Sequence, residues 1–256
     1  MVHVLGTFLL CAIAFGLIWL SRRSRPKART ALRLGASSRE FLRDHVDFYA
    51  GLDESERARF DAAVERFVTD QTISGPRGAE VSEQTKLLVA ASAVILVFGI
   101  PDFVYPVLRD IVVYEGAFDH EYDVRRDGNI AGMVHAQGPI LLSERDLRHG
   151  FKRRSDGYNV GLHEFAHVLD FESGRADGVP SIMPWEALRP WARALASETL
   201  RIEENRSVLR EYGATNEAEF FAVATEAFFE KPHALKDRHP KLYELLVATY
   251  RQDPAA

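Results

Sequence analysis

The chain has a single cysteine, Cys11, among its 256 residues, so no disulfide can form within it. The remainder suits a reducing compartment. An excess of positive charge is also missing. Lys and Arg number 32 against 37 Asp and Glu, and a net charge of −5 gives no reason to expect direct nucleic-acid binding. Internal repeats and low-complexity segments are absent. With 46% hydrophobic and 27% charged residues, the composition excludes disorder on the scale of the whole chain. The length allows one large domain or two small ones.

Charge is absent altogether from Val4 to Leu20, VLGTFLLCAIAFGLIWL. As a helix these residues span about 26 Å, close to the roughly 30 Å hydrocarbon core of a bilayer. A cleaved signal peptide carries its positive charge ahead of the apolar run. Here the basic residues Arg22, Arg23, Arg25, Lys27 and Arg29 follow it, and Trp19 sits at an interfacial position. Residues 1–20 therefore read as a single transmembrane anchor and 21–37 as a basic juxtamembrane linker. Under the positive-inside rule residues 38–256 face the cytoplasm, which places the protein in the inner membrane as a single-pass protein.

After the linker, helical spacing runs from Ser38 to Gly51, and a second helix starts at Asp53, an N-cap with Glu56 three residues on. Lys86–Phe98 is too short for a second span and reads as a buried core helix. Short branched runs at Ile111–Tyr114, Tyr122–Arg125 and Gly138–Ser143 read as strands, and the stretch Pro139–Ser143 as an edge able to pair with an extended peptide. Helical segments resume after Tyr158, with breaks at Gly174–Pro184, Tyr212–Thr215 and Pro232. Helices, strands and helices in that order predict an α+β domain.

GLHEFAHVLDFESG, Gly161–Gly174, holds the chemistry. On a helix His163 and His167 present both imidazoles to one point, and Glu164 stands where it can take a proton from water activated by a metal. The helix is apolar around much of its circumference, with Asn159 as its N-cap, and buried imidazoles need polar partners. No third histidine follows, so the third ligand must come from elsewhere. Asp170 lies on the face of His167 but reaches poorly to a metal, and is a candidate to hydrogen-bond a ligand histidine. Downstream, Glu219 and Glu226 share a helix face. Glu219 is the candidate third ligand, although Asn216 and Glu219 also have the form of a capping box. The other histidines, His239 among them, read as surface or structural.

The segments GYNVGLHEFAHVLDFESGRADGVP, EYGATNEAEFFAVATEAFFEKPHAL and HPKLYELLVATYRQDP, with FYAGL and IVVYEGAF before them, resemble the zinc-dependent peptidase family of Mlc titration factor A from about Phe41 to Pro254. The Tyr-then-Glu-Phe-Phe-Ala arrangement is also similar to the catalytic domain of anthrax lethal factor, a gluzincin. The resemblance implies a zincin-like α+β metallopeptidase domain with a small β-sheet and surrounding helices. It implies one Zn²⁺ on His163, His167 and Glu219, with Glu164 as general base and Tyr212 as hydrogen-bond donor to the oxyanion. Glu226 joins Asp170 as a candidate to support the ligands. The partner implied is a peptide or protein substrate. The family takes its name from binding a glucose-responsive transcriptional repressor, so a regulatory binding protein with a structural zinc is the alternative. The aminopeptidase signature Gly-x-Met-x-Asn is absent; the nearest match is Gly132-Met-Val-His.

Overall fold

The computed structural model describes residues 32–256, except 107, 109, 120–129, 135–137, 154–155 and 173. The anchor read over residues 1–20, most of the linker and the strand read over Tyr122–Arg125 lie outside the described residues. No helix among the described residues is long and apolar enough to cross a membrane. Leu32 and Leu34, within the stretch read as linker, already run along the first long helix: their amides donate to Thr69 Oγ1 (3.2 Å) and Glu65 Oε1 (2.8 Å).

The fold is mixed α+β and mostly helical. Helices α1 (Ala36–His45), α2 (Asp47–Gly51) and α3 (Glu54–Asp70) open it. The single helical stretch expected over Ser38–Gly51 is broken at Val46, whose extended backbone (φ −122°, ψ 97°) separates α1 from α2. Asp53 caps α3 with a full capping box: its carboxylate accepts the Glu56 amide, and the Glu56 side chain accepts the Asp53 amide.

Helix α4 (Glu83–Val97) is capped by Ser82 and buried continuously from Leu87 to Val97. It is a core helix because no face of it is polar enough to meet water. Helix α5 (Glu144–Lys152) follows the sheet. Helix α6 (Val160–Phe171) packs between α4 and α8 (Glu217–Glu230). Gly161 makes the α4–α6 approach possible, since a Cβ there would fall 2.0 Å from Ser92 Oγ. The far side of α6 is fixed by Phe165, edge-on to both Phe67 and Tyr105; burying one such ring contributes about 1.5–3 kcal/mol. Helices α7 (Leu188–Glu203), α9 (Pro232–Arg238) and α10 (Pro240–Tyr250) complete the shell.

Four short strands, β1 (Ile73–Ser74), β2 (Ile111–Tyr114), β3 (Gly132–Val134) and β4 (Ile140–Ser143), form a sheet in the order β1-β2-β4-β3. The first three in that order are parallel, and β3 runs antiparallel to β4 with Gly132 opposite Leu142. This corrects the expectation for Pro139–Ser143. β4 pairs on both sides and is buried throughout, so it offers no edge. The outer strand is β3, half-exposed along its length, and among the described residues no strand pairs with its other side. β3 packs on α6, which brings that edge to the histidine helix.

Candidate metal centre

Asn159 starts α6 by accepting the Leu162 amide on Oδ1 (3.2 Å), and every residue from Val160 to Asp170 is buried. One turn apart on this helix, His163 and His167 bring their Nε2 atoms to 3.2 Å. Glu219, in the first turn of α8, places Oε2 at 3.0 Å from His163 Nε2 and 3.4 Å from His167 Nε2. The cap and the carboxylate divide the work at this helix start. Asn216 Oδ1 takes the Glu219 amide (2.9 Å), while the Glu219 side chain turns to the imidazoles.

These three atoms suit a metal. Ligand bonds of about 2.0–2.2 Å in tetrahedral geometry place neighbouring ligand atoms about 3.3–3.6 Å apart, and the observed triangle has sides of 3.0, 3.2 and 3.4 Å. Glu219 Oε2 is buried and accepts no well-directed hydrogen bond, although both imidazoles are close by. A cation held by all three would satisfy these groups together.

The surrounding charges agree. Burial opposes a proton on His163, yet Glu219 and Glu226 outweigh it and raise the imidazole to about 10. Burial also works against ionised Glu219, but the two imidazoles hold its carboxyl far below the usual carboxylate range. Without a cation, a proton therefore takes the cation's place between these groups.

Glu226, two turns along α8 and fully buried, has Oε2 at 3.1 Å from His163 Nδ1 and Oε1 accepting the Asn159 amide at 2.7 Å. One carboxylate thus fixes both the orientation of His163 and the start of its helix. Arg210 pairs with the same Glu226 oxygen; its Nε donates to the Gly157 carbonyl (3.2 Å), and its guanidinium lies over the Tyr158 ring. Asp170 accepts the amides of Gly178 (3.0 Å) and Val179 (2.9 Å), fastening the segment that leaves α6.

Glu164 is buried with Oε2 unpartnered, and burial pushes its carboxyl up to about 7, with His163 and His167 pulling the other way. A value near neutrality suits a group that takes and returns a proton. Its position depends on Gly132 in β3, where a Cβ would fall 2.4 Å from Glu164 Oε1. Tyr212, in a 3₁₀ turn at Glu211–Ala214, is 50% exposed with its ring 6.0 Å from that of His163. Burial and the Glu219 carboxylate together raise its phenol above the ordinary value.

Two lobes of a cleft meet here, sharing Ile130, Gly132, His163, Glu164 and Tyr212. One, of about 330 Å³, reaches Tyr158 and Arg210. The other, of about 450 Å³, runs past Met133 and Val134 to Phe171 and Ala218. Gly132 and Arg210 carried no signal as site residues in the sequence. The first meets Glu164 across 32 positions of chain, and the second meets Glu226 through a turn without helical or strand periodicity.

The family model for the glucose-regulated metallo-peptidases M90 matches residues 19–251. An uncharacterised protein of Synechocystis is 33% identical over 227 residues, covering 83% of this chain and 82% of its own length. Proteins named Mlc titration factor A from Salmonella arizonae and Salmonella paratyphi B are 29% and 28% identical over 236 residues. Those matches cover 82% of this chain and 89% and 84% of the relatives.

Proposed function

Because the chain belongs to the glucose-regulated metallopeptidase family M90, we propose that it hydrolyses peptide bonds at a metal held by His163, His167 and Glu219. The observation that carries this reading is the convergence of the three ligand atoms beside an unpartnered Glu164 oxygen. A structural site needs no such base. Two imidazoles and one carboxylate form a donor set that suits Zn²⁺. A divalent ion so held supplies Lewis acidity, polarising the scissile carbonyl and making water acidic enough to attack at neutral pH.

The protein's own groups do the rest. Glu164 accepts the proton of the attacking water and returns it to the leaving nitrogen. Tyr212 donates a hydrogen bond to the oxygen on which charge develops. Glu226 keeps His163 turned with Nε2 towards the centre. The side of β3 with which no described strand pairs supports docking of the substrate as an added extended strand. The test is hydrolysis of a mixed peptide pool by the full-length protein, before and after a chelator and then with Zn²⁺ restored. Cleavage should stop and return. A metal-loaded protein that cleaves nothing refutes the reading.

In a second reading the chain binds a transcriptional repressor and the metal is structural. The name of the Salmonella relatives, Mlc titration factor A, supports it. The apolar run Val4–Leu20 and the basic residues after it support a further proposal, a single membrane tether with the metal centre on the cytoplasmic side. Recovery of the full-length protein in the high-salt-washed membrane fraction tests it.

A further inference from the structure

A buried group away from the metal is not used by the mechanism above. His239, between α9 and α10, is 2% exposed, and Glu198 on α7 is 6% exposed. Glu198 Oε2 lies 2.6 Å from His239 Nδ1 without a well-directed hydrogen bond, its other oxygen accepts from Arg201 Nη1 at 3.1 Å, and that same Nη1 stands 3.4 Å from Nδ1. At Nε2 the partner is a backbone amide, which can only donate, so this nitrogen offers its lone pair. The Val208 amide donates to it at 3.3 Å. The Ser207 hydroxyl stands 3.3 Å from the same nitrogen and accepts the Leu209 amide at 3.2 Å.

What this clasp holds is the approach to the metal centre. Between the end of α7 at Glu203 and the start of α8 at Glu217 the only regular structure is the 3₁₀ turn at Glu211–Ala214. The turn itself packs on α7 and α8, whereas residues 207–210 ahead of it lie outside any helix or strand and are placed by side-chain tethers. His239 grips this stretch at Ser207 and Val208, and Ser207 in turn holds the Leu209 amide. The next residue is Arg210, bonded to Glu226, and Tyr212 lies two further on.

We propose that His239, oriented by Glu198, is a positioning residue for the proposed peptidase reaction: it sets the run that carries Arg210 and Tyr212 into the cleft. The inference rests on the peptidase reading for its kinetic consequence but not for the clasp itself. A displacement of about 1 Å at a reacting group can cost 100-fold in rate.

The test compares His239→Phe and His239→Gln in the full-length, metal-loaded protein, by kinetics and by amide hydrogen exchange. The Phe variant, which loses the acceptor, should lower kcat about 100-fold with metal stoichiometry unchanged. The Gln variant, which keeps an acceptor, should recover most of that loss. In a Tyr212→Phe background the Phe variant should cost clearly less than it does alone, because part of its effect runs through Tyr212. Exchange should quicken over residues 207–215 and stay slow in α6. Multiplying losses in the double variant, or unchanged exchange at 207–215, overturns the proposal. If the wild type cleaves no peptide, the peptidase reading fails by itself, and the exchange comparison still decides whether His239 fixes this run. If the Phe variant does not fold, Ser207→Ala and Glu198→Ala, read by the same kinetics and by exchange over residues 207–215, supply the comparison with the Gln variant.

Discussion

The two walls of the cleft are built differently. On one side α6 and α8 carry His163, His167, Glu219 and Glu226 on helices packed into the core, with the caps at Asn159 and Asn216 locking each helix start. On the other, the half-exposed edge of β3 and a four-residue 3₁₀ turn present Gly132 and Tyr212. Metal ligands must be held within tenths of an ångström and gain from rigid helices, whereas groups that meet a substrate must stay accessible to it. The difference separates the groups that bind the ion from those that meet the substrate, with Glu164 reaching across from α6, and that separation can be attacked experimentally.

The largest effect should come from the helical wall. Glu219→Ala removes one corner of the ligand triangle, so metal content measured by atomic emission should fall well below one per chain and peptide cleavage to background. Full metal occupancy in this variant would show that Glu219 acts only at the helix cap. On the opposite wall the metal should stay. Tyr212→Phe should cost about 100- to 1,000-fold in kcat, the range seen when one oxyanion donor is removed, with metal content and melting temperature unchanged. Gly132→Ala should lower kcat about 100-fold, because the new Cβ, 2.4 Å from Glu164 Oε1, must push the base out of place. Titrating metal into this variant separates a moved base from a lost ligand.

The last effect, and the one that sharpens the contrast, is in pH. His163 is raised from 6.5 to about 10 by carboxylates in the metal-free centre. Its contribution to the stability of the metal-free protein is therefore full below pH 6.5 and lost as the pH climbs towards 10. Metal uptake has the opposite sign, since the ion must displace that proton. Its apparent affinity should rise about tenfold per pH unit across the same window. Calorimetry in buffers of different ionisation enthalpy counts the proton released, and an uptake independent of pH would contradict this charge arrangement.

How much of this was legible in the sequence depended on distance along the chain. His163, Glu164 and His167 lie within about one helical turn, so their spacing is readable without any distant contact. The burial of α4 was readable from an unbroken apolar run too short to span a membrane. Glu219 sat between two readings, cap or ligand, because both use an acidic residue three positions after Asn216. The structure shows the backbone amide serving the cap while the side chain serves the centre. What local pattern could not reveal was pairing. Ile140–Ser143 has the composition of a strand, but whether a strand is an edge is decided by its neighbours, and a three-residue strand such as β3 carries too little periodicity to be seen. Gly132 and the His239 clasp are contacts between distant segments, and composition records neither.

The central claim is that the helix pair holds the ion and that Glu164 uses it. The most direct test is Glu164→Gln in the full-length protein, with metal stoichiometry and single-turnover peptide cleavage measured on the same preparation. Metal should remain at one per chain while cleavage falls by about 100-fold or more. Cleavage at the wild-type rate with the metal in place would contradict the account.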